Sequence, residues 1–365
     1  MSTNKKLLLL QSNTKVTKYN EFHANADDDE QEIATFKNKS SFRNKNKRNN
    51  TKNTNISPSK SVFDKTGYKV TSKISTTLQG SVYNAINNKG NVCVVKRASA
   101  QLHYRGLAQI DGTLYECDED IIAEANIMKY LTSLNGPKGF TKFIDFFCDG
   151  KNYFLLMEHG GESLFNHISK YINIVSDKNI WQHHINILYK QILNTVHWLH
   201  SNNVCHLDIS LENFTIKGFK YNNETNTIIN HGNVYIIDFG LSEYFGKNSD
   251  FMCNKKCGKV RYQSNKVYYG KKYNAKKVDI WALGVVLFMM ILAVFPYEKP
   301  TNNDIFYCNI MRGHLGSMIK TQNKHKYIIN YDNFIHLMNG IFCTENKRYS
   351  IKDIINHPYI SQKKS

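Results

Sequence analysis

Two short motifs rich in oxygen-bearing side chains constrain this chain more than any other feature. The first is the run His-Leu-Asp-Ile-Ser-Leu-Glu-Asn at 206–213, and the second is Asp-Phe-Gly at 238–240. Asp208 is a carboxylate on a predicted loop, where it can accept a proton from a substrate hydroxyl. Asn213 and Asp238 offer hard oxygen ligands, which suit a divalent cation that holds phosphate groups. Together the motifs predict a site for phosphate chemistry.

The order of the two motifs strengthens the prediction of a phosphate site. Asp-Phe-Gly by itself occurs by chance in many unrelated proteins. Here it directly follows the apolar run Val-Tyr-Ile-Ile at 234–237, which predicts a strand. Both motifs in this order, the second at the end of a strand, rarely arise by accident.

The first part of the folded region is predicted to be mainly strands. Three apolar runs, Tyr68–Ile74, Ser81–Ile86 and Val92–Lys96, are typical of successive strands joined by turns. Residues 119–134 carry apolar side chains at helical spacing. Glu124 lies within that helix, where it is either a surface group or a partner for Lys96.

Beyond these elements the chain is predicted to be mainly helical. Tyr153–Met157 is a further apolar strand, and the Glu-His-Gly-Gly run at 158–161 is a plausible hinge. Ile185–His200 has an apolar helical face, 217–232 is an Asn-rich insertion, and helices are expected from Val278 onward. Strands followed by helices predict an α+β fold with two lobes, and the site is expected at their junction.

Composition divides the chain into two parts. Residues 1–61 are rich in Asn and Lys and are predicted to be disordered, because they cannot bury enough apolar surface to offset their ordering entropy. A solvated tail is favoured over a docking or targeting segment. The folded domain is predicted over 62–365, with one lobe at about 62–158 and the other at about 161–365.

The charge and the cysteine content limit the kinds of partner and metal ion that the chain is expected to bind. The 48 Lys and Arg residues against 30 acidic residues give a net charge of +18. The basic residues are scattered without an aromatic-interleaved stripe, so nucleic-acid binding is not expected. None of the eight cysteines forms a Cys-x-x-Cys pair. The nearest couple, Cys253 and Cys257, has no evident further zinc ligands, and free thiols are predicted.

Membrane insertion is not expected either. The apolar run Leu7–Leu10 is shorter than the roughly 7–15 residues of a signal-peptide core. The longest apolar run, Ile280–Pro296, is below about 18 residues and favours a buried core helix. A monomer is expected.

The landmarks occur in an order that resembles the eukaryotic protein kinase superfamily. Lys96 on a strand and Glu124 on a helix precede the motifs at 206–213 and 238–240, and Asp-Ile-Trp-Ala-Leu-Gly follows at 279–284. Arg348 and the His-Pro at 357–358 complete the series. The resemblance covers residues from about 62 to 360. It implies a small, mainly antiparallel β N-lobe with one key helix, a larger helical C-lobe, and ATP-dependent phosphorylation of protein hydroxyls.

The resemblance implies a role for each matching residue. Lys96, oriented by Glu124, is expected to bind the phosphates of ATP, and Asp208 to accept the proton of the substrate hydroxyl. Asn213 and Asp238 are expected to hold Mg²⁺, or Mn²⁺ in its place. The other positions expected to contact ATP are Gly80 and Val82 at the start of the second predicted strand, and Glu158 and His159 in the hinge.

A narrower resemblance is to the FIKK kinases, a divergent apicomplexan group of Ser/Thr kinases. It rests on the run at 206–213, Val-Val-Lys-Arg at 94–97, Cys-Gly-Lys at 257–259 and a phosphate loop that has lost glycines. The stretch at 94–97 departs from the Phe-Ile-Lys-Lys that names the group. A cytoplasmic location is the default expectation, with secretion into a host cell as the alternative.

Several positions depart from the usual kinase pattern. The phosphate loop keeps Gly80 but has Ser75 and Thr77 at the two earlier glycine places, which predicts weaker ATP binding. Leu207 replaces the Arg that normally binds a phosphorylated residue of the activation segment. Activity is therefore expected without phosphorylation of that segment.

The Ala-Pro-Glu place of kinases reads Ser-Asn-Lys at 264–266. Its Glu usually pairs with the Arg at position 348, so Lys266 and Arg348 are expected to face each other unless Lys266 points to solvent. Asp279 is expected to brace the catalytic loop, to cap its helix, or both.

Two substitutions occur as a pair. Ser210 stands where Ser/Thr kinases have a Lys that meets the γ-phosphate, and Lys259 stands at the place of an activation-segment Thr. The hypothesis is that the two roles are exchanged, so that Lys259 reaches the γ-phosphate. The alternative is that Lys259 is a surface lysine.

Two other functions compete with an active Ser/Thr kinase. The lost glycines and the Ser-Asn-Lys run favour a pseudokinase that acts as a scaffold, but a scaffold has no need of the five retained residues Lys96, Glu124, Asp208, Asn213 and Asp238. A small-molecule phosphotransferase shares a His-x-Asp-x-x-x-x-Asn loop. The intact Asp-Phe-Gly and the Asp-x-Trp-x-x-Gly at 279–284 favour a protein kinase.

Overall fold

The computed structural model describes residues 67–361, apart from 135 and 248. The predicted disordered extension at 1–61 lies outside the described residues. So do the first five and the last four residues of the predicted domain.

An antiparallel sheet of five strands forms the N-lobe, in the order β1-β2-β3-β7-β6. In β2 every second side chain is buried, including Tyr83 and Ala85, as expected of a sheet with one face in the core. The sixth strand of the chain, β6, was not predicted from the sequence. The strands of this sheet are β1 (Tyr68–Thr77), β2 (Gly80–Asn87), β3 (Val92–Ser99), β6 (Phe143–Cys148) and β7 (Asn152–Glu158).

A small inserted unit and the key helix lie between β3 and β6. The inserted unit consists of α1 (Ala100–Arg105) and a two-stranded hairpin of β4 (Leu107–Ile110) and β5 (Thr113–Glu116). The key helix α2 spans Ile121–Ser133, and it begins later than predicted because Asp120 caps it. The Asp120 side chain accepts hydrogen bonds from two backbone N–H groups of the first turn.

The buried face of α2 explains how Glu124 comes to lie in the interior. Ile121, Ala125, Met128 and Leu131 are buried at helical spacing, and Glu124 lies on the same face with no exposed surface. The helix therefore presents one charged group to the protein interior, where it requires a partner.

The C-lobe is built on two long helices, α4 and α6. α4 has 24 residues and is capped by Asp177, and α6 has 18 residues that are all buried from Asp279 to Ile291. The helices are α3 (Leu164–Tyr171), α4 (Lys178–Ser201), α5 (Asn265–Tyr268), α6 (Ala275–Leu292), α7 (Ile305–Met311), α8 (Leu315–Thr321), α9 (Tyr331–Ile341), α10 (Ile351–Asn356) and α11 (Pro358–Ser361). None of the helices described here has both the length and the apolarity needed to cross a membrane.

Short strands connect these helices around the site. β10 pairs with both β13 and β8, and β9 pairs with β14. The Asn-rich insertion folds into its own hairpin, β11–β12, rather than a structureless loop. These strands are β8 (Glu162–Ser163), β9 (Val204–Cys205), β10 (Phe214–Lys217), β11 (Lys220–Asn222), β12 (Thr227–Asn230), β13 (Asn233–Ile236), β14 (Glu243–Tyr244), β15 (Met252–Cys253) and β16 (Tyr273–Asn274).

The sheet of the N-lobe and the helices of the C-lobe give the two-lobed α+β fold that the sequence predicts. Strand β7 ends at Glu158, and the chain then passes through Gly160 and Gly161 into the C-lobe. The predicted hinge therefore lies at the connection between the lobes.

Candidate active site

A buried aspartate of α6 holds the catalytic loop. Asp279 accepts hydrogen bonds from the backbone N–H groups of His206 and Leu207, each at 2.9 Å. Nε2 of His200 lies 2.8 Å from the same carboxylate. Leu207 has a φ of 63°, a left-handed conformation that is costly for a residue other than glycine and persists only where its surroundings hold it. These contacts fix the backbone directly before Asp208.

The alternative role considered for Asp279, a helix cap, is wrong. Asn274 caps α6, and its side chain accepts a hydrogen bond from the backbone N–H of Lys277. Because α6 begins at Ala275 rather than at Val278, Asp279 lies inside the helix.

Lys96 joins three elements of the site. Its Nζ lies 2.8 Å from Oε2 of Glu124 on α2 and 2.9 Å from Oδ1 of Asp238. The second oxygen of Glu124 accepts a hydrogen bond from the backbone N–H of Phe239 at 3.1 Å. The structure thus brings Lys96 and Glu124 together as expected, and it ties both to the Asp-Phe-Gly motif.

Charge and burial set the ionisation of this group. Burial would lower the pKa of Lys96, but Asp238, Glu124 and Glu119 together outweigh it and hold that pKa well above its usual value. Burial would raise the pKa of Asp238, but the Lys96 ammonium outweighs it and lowers the pKa to about 2. Lys96 is therefore a cation, and Asp238 an anion, at neutral pH.

The Asp-Phe-Gly motif has its aromatic ring in the core. Phe239 is fully buried and packs edge-on against Phe140, with its ring also 5.2 Å from that of His206. Asp238 has a φ of 62°, and its Oδ1 also accepts a hydrogen bond from the backbone N–H of Gly240. This backbone turn places the carboxylate of Asp238 beside Lys96 while the Phe239 ring stays in the core.

Asp208 lies among the polar groups of the catalytic loop and the activation segment. The amide nitrogen of Asn213 donates to Oδ2 of Asp208 at 2.7 Å and to its carbonyl oxygen at 2.8 Å. Nζ of Lys259 lies 3.1 Å from Oδ2 of Asp208 and 2.9 Å from Oγ of Ser210. The two residues of the predicted exchange are therefore in direct contact, and Lys259 points into the site.

Gly258 allows the activation segment to approach this closely. Its φ is 76°, and a Cβ built there would lie 2.9 Å from the carbonyl oxygen of Leu207 and 3.3 Å from Oδ1 of Asp208. The absence of a side chain lets the backbone N–H of Lys259 donate to Oδ1 of Asp208 at 3.2 Å.

Asn213 and Asp238 fit a divalent cation by the chemistry of their oxygen atoms. Lys96 and Gly240 donate to Oδ1 of Asp238, whereas no described residue is hydrogen-bonded to its Oδ2. Asn213 turns its nitrogen toward Asp208, which leaves its amide oxygen as the ligand atom. A carboxylate and an amide oxygen are hard ligands of the kind that Mg²⁺ takes alongside substrate phosphates.

The positions expected to contact the nucleotide lie along one face of the sheet and in the hinge. Val82 is paired with Lys96 in the register of β2 and β3. Gly80 approaches β3 so closely that a Cβ would lie 1.9 Å from the carbonyl oxygen of Arg97. In the hinge, Glu158 accepts a hydrogen bond from the backbone of residue 142, and His159 accepts one from that of residue 161.

Lys266 and Arg348 do not face each other, and Lys266 does not simply point to solvent. Nζ of Lys266 lies 3.0 Å from Oε1 of Glu345, an ion pair that no sequence pattern predicts. The buried guanidinium of Arg348 donates instead to three backbone carbonyl oxygens, and it stacks 4.9 Å from the ring of Trp281. Carbonyl groups thus replace the missing carboxylate as partners of Arg348.

Glu119 is a site residue that sequence reasoning missed. Its Oε2 lies 3.9 Å from Nζ of Lys96, and burial raises its pKa. It directly precedes the cap of α2, and no local pattern distinguishes it from Asp118 beside it. The β4–β5 hairpin was also missed, although the Asp-Gly dipeptide at 111–112, with φ of 47° and 86°, is a strong hairpin signal.

The cysteines are free thiols, as predicted. Within the described residues, His200, Cys205 and Asp279 form a group with ligand atoms close enough for a metal ion. The carboxylate of Asp279 is already hydrogen-bonded to His200 and to two backbone N–H groups, so the group braces the catalytic loop.

Comparison with known proteins agrees with the geometry of the site. The sequence profile of the protein kinase domain matches residues 68–360. Sperm motility kinase Z of Mus musculus is 25% identical over 247 residues, which cover 67% of this chain and 43% of that protein. NUAK family SNF1-like kinase 1 of Homo sapiens is 26% identical over 213 residues, 58% of this chain and 29% of that protein.

A third relative carries a more specific name. The probable serine/threonine-protein kinase KIN1 homolog of Enterocytozoon bieneusi (strain H348) is 27% identical over 158 residues, 43% of this chain and 23% of that protein. The chain spans less than half the length of each of these three relatives. It belongs to the protein kinase domain family, whose members use ATP and a divalent metal ion to phosphorylate proteins.

Proposed function

We propose that this protein is an active Ser/Thr protein kinase that uses ATP with Mg²⁺. The observation that carries the proposal is the contact of Lys96 with both Glu124 and Asp238. In protein kinases the Lys–Glu ion pair and the Asp of Asp-Phe-Gly must both be in place for phosphoryl transfer. Here Lys96 contacts both carboxylates.

Each residue then has a chemical task. Lys96 binds the phosphates of ATP, and Asp208 accepts the proton of the substrate hydroxyl as that oxygen attacks the γ-phosphorus, whose bond to the bridging oxygen breaks so that ADP leaves. Asn213 and Asp238 would hold Mg²⁺, which would neutralise negative charge on the phosphate oxygens.

Lys259 supplies the cation that Ser210 cannot. Its Nζ is in contact with Ser210 and Asp208 and lies 3.5 Å from the amide oxygen of Asn213. When ATP and a substrate hydroxyl bind beside Asp208, this ammonium group would approach the phosphoryl group that is transferred between them. It then contributes electrostatic stabilisation to the transition state.

The Ser/Thr specificity is supported by the similarity to the E. bieneusi relative, a probable serine/threonine-protein kinase. Membership of the FIKK group of kinases is supported by the run at 206–213, Cys-Gly-Lys at 257–259 and the phosphate loop with one glycine. A small-molecule phosphotransferase, the third function considered from the sequence, is not the family that the chain matches.

A nucleotide-binding scaffold without phosphotransfer is the second candidate. The Lys259–Asp208 ion pair at 3.1 Å favours it, because Oδ2 of Asp208 already accepts hydrogen bonds from Asn213 and Lys259. In an active enzyme, Lys259 must leave Asp208 for the γ-phosphate when ATP is bound.

One assay separates the two candidates. Purified protein is incubated with γ-labelled ATP, Mg²⁺ and a mixture of peptides with Ser, Thr or Tyr acceptors, and Asp208→Asn serves as the matched control. We expect transfer to Ser and Thr peptides by the parent and loss of at least about a hundredfold in the control. Nucleotide binding without transfer by the parent would establish the scaffold instead.

A further inference from the structure

The phosphate loop between β1 and β2 is in contact with the inserted hairpin. The backbone N–H of Gln109 in β4 donates to the carbonyl oxygen of Leu78 at 3.0 Å. In the reverse direction, Nε2 of Gln79 donates to the carbonyl oxygen of Leu107 in β4 at 3.2 Å. Leu78 and Gln79 form the tip of the loop, so β4 holds the tip through two hydrogen bonds.

The register of the hairpin explains why these β4 groups are available. Ile110 pairs with Thr113 on either side of the two-residue turn, and Gln109 pairs with Leu114. In an antiparallel pair, hydrogen-bonded and non-hydrogen-bonded positions alternate. Gln109 and Leu107 therefore direct their backbone groups away from β5. The outer edge of β4 is the edge that meets the phosphate loop.

Gln79 is the side chain that locks this contact. It is 4% exposed, although its neighbours Leu78 and Gly80 are more accessible. Its carbonyl oxygen accepts a hydrogen bond from the backbone N–H of Ser99 at 2.9 Å, at the end of β3. A buried amide side chain leaves its polar atoms unsatisfied if that partner is lost. Gln79 is thus held by β3 through its backbone and by β4 through its side chain.

The inserted unit is itself anchored at both ends. Oγ of Ser99 accepts a hydrogen bond from the backbone N–H of Leu102 and caps α1. The backbone N–H of Cys117 donates to the carbonyl oxygen of Gly106 at 2.9 Å and closes the base of the hairpin. Just beyond it, the backbone N–H of Asp120 donates to the carbonyl oxygen of Gly240 at 3.2 Å. The unit is therefore attached to the rest of the lobe on both sides of β4. Because β4 is held in place, it can hold the tip of the phosphate loop in place as well.

We propose that β4 is a positioning element for the ATP phosphates, acting through Gln79 and Leu78. The inference rests on the proposed kinase function. It adds β4 to the strands β1 and β2 as an element that holds the phosphate loop. β1 is almost entirely exposed, and Ser75 and Thr77 stand where glycines let other kinases close their loop over the phosphates. A loop that is held in place before ATP arrives loses less conformational freedom on binding. The β4 edge thus offsets part of the affinity that the missing glycines remove.

The test replaces a single donor on each edge of the hairpin. Gln109→Pro removes the N–H that reaches Leu78, and proline is tolerated on an edge strand. Leu114→Pro is the matched control, because the N–H of Leu114 faces the opposite edge and bonds no other described residue. Gln79→Leu removes the side-chain donor and keeps a similar volume.

Nucleotide affinity is measured by titration with a fluorescent ATP analogue, and KM for ATP, kcat and the melting temperature are measured in parallel. We expect Gln109→Pro and Gln79→Leu each to weaken ATP binding about fivefold, as the loss of one hydrogen bond predicts, and to change kcat at saturating ATP less than twofold. Leu114→Pro should keep the parent affinity for ATP.

Three results would overturn the inference. These are parental ATP affinity in Gln109→Pro and Gln79→Leu, an equal loss of affinity in Leu114→Pro, or a fall in kcat without a change in KM. A parent protein that binds ATP but transfers no phosphate would instead contradict the proposed kinase function. The binding titration therefore distinguishes failure of the inference from failure of the function.

Discussion

Nζ of Lys259 lies 2.9 Å from Oγ of Ser210, so two residues that are far apart in the sequence share one hydrogen bond beside the carboxylate of Asp208. The side chain of Ser210 is fully buried, whereas that of Lys259 is partly exposed. The contact gives the proposed exchange of roles a physical basis, since a lysine at either position would place its ammonium group close to the same point.

The exchange predicts non-additive kinetics. Lys259→Ala should lower kcat at least about tenfold, which corresponds to about 1.4 kcal/mol of transition-state stabilisation. Ser210→Lys alone should also lower activity, because two ammonium groups would be crowded together. The double variant Ser210→Lys with Lys259→Thr should recover part of kcat, as expected of residues in contact.

Steady-state kinetics with varied ATP and peptide measure this cycle. Lys271→Ala is a suitable control, since that lysine is exposed and lies outside the site. If Lys259→Ala kept the parental kcat/KM, Lys259 would be a surface charge without a catalytic role.

Activity is predicted to be independent of phosphate on the activation segment. Leu207 is buried and cannot receive a phosphate. Backbone pairing holds the segment instead, because β14 pairs with β9 and β15 pairs with β16. Protein treated with phosphatase, and checked by mass spectrometry, should keep most of its activity. A large loss of activity after dephosphorylation would contradict this prediction.

Individual hydroxyl groups of the segment give a finer test. Tyr244→Phe and Ser249→Ala should each change kcat less than about twofold, because neither hydroxyl is needed as a phosphate acceptor. Ser242 differs from both, since it is buried and its Oγ donates to the carbonyl oxygen of His206 at 3.1 Å. Ser242→Ala should therefore lower the free energy of unfolding by about 1 kcal/mol. Denaturant unfolding measures this loss of stability and so distinguishes it from an effect of lost phosphorylation.

Asp238 and Asn213 should control the metal dependence of the reaction. Asp238→Asn removes both a charge from the ligand set and the ion pair with Lys96, so kcat should fall at least about a hundredfold with Mg²⁺ present. Titration of activity against Mg²⁺ and Mn²⁺ measures the change. Asp145→Asn, an exposed acid on β6, is the matched control. Phosphate transfer at the parental rate by Asp238→Asn would exclude the proposed role of Asp238.

A buried row of histidines predicts loss of stability in acid. Nε2 of His184 lies 3.0 Å from Nε2 of His167, and its Nδ1 lies 2.9 Å from Nδ1 of His231. Burial, and then the neighbouring histidines 167, 231 and 183, lower the pKa of His184 to about 2. Glu162, which contacts His167, is the acidic group of the row.

The sign of the effect follows from the two pKa values. In the unfolded chain, histidine has a pKa of about 6.5, so it binds a proton below that pH while folded His184 does not. The free energy of unfolding should therefore fall as the pH drops below about 6.5, by up to about 1.4 kcal/mol per pH unit from His184 alone.

Urea unfolding between pH 7.5 and 5 measures this dependence. His184→Asn should flatten the curve, and replacement of the exposed His325 by Asn is the matched surface control. The same slope in the parent and in His184→Asn would show that His184 does not titrate in this way.

Short-range patterns in the sequence were sufficient to predict the fold class, and they also nominated the residues of the candidate site. Asp208 and Asn213 lie in one loop, and Asp238 follows a strand whose apolar run is visible in the sequence. The helix that carries Glu124 has apolar residues at helical spacing, and its buried face dictates that Glu124 points inward. Such features are predictable because residues close in sequence are placed by local geometry alone.

The tertiary structure decided the contacts between distant segments. Asp279 was open to two roles until the position of α6 showed it beneath the catalytic loop rather than at the start of its helix. The pair of Lys266 with Glu345 could not be predicted, because it depends on how α5 packs against the loop after α9.

The same reason explains why the β4 edge was missed. The Asp-Gly dipeptide at 111–112 signals a hairpin, but only the path of the chain between β3 and α2 brings Gln109 to Leu78. The sequence shows which side chains are present. The packing of all the helices and strands decides which of these groups come into contact in the interior.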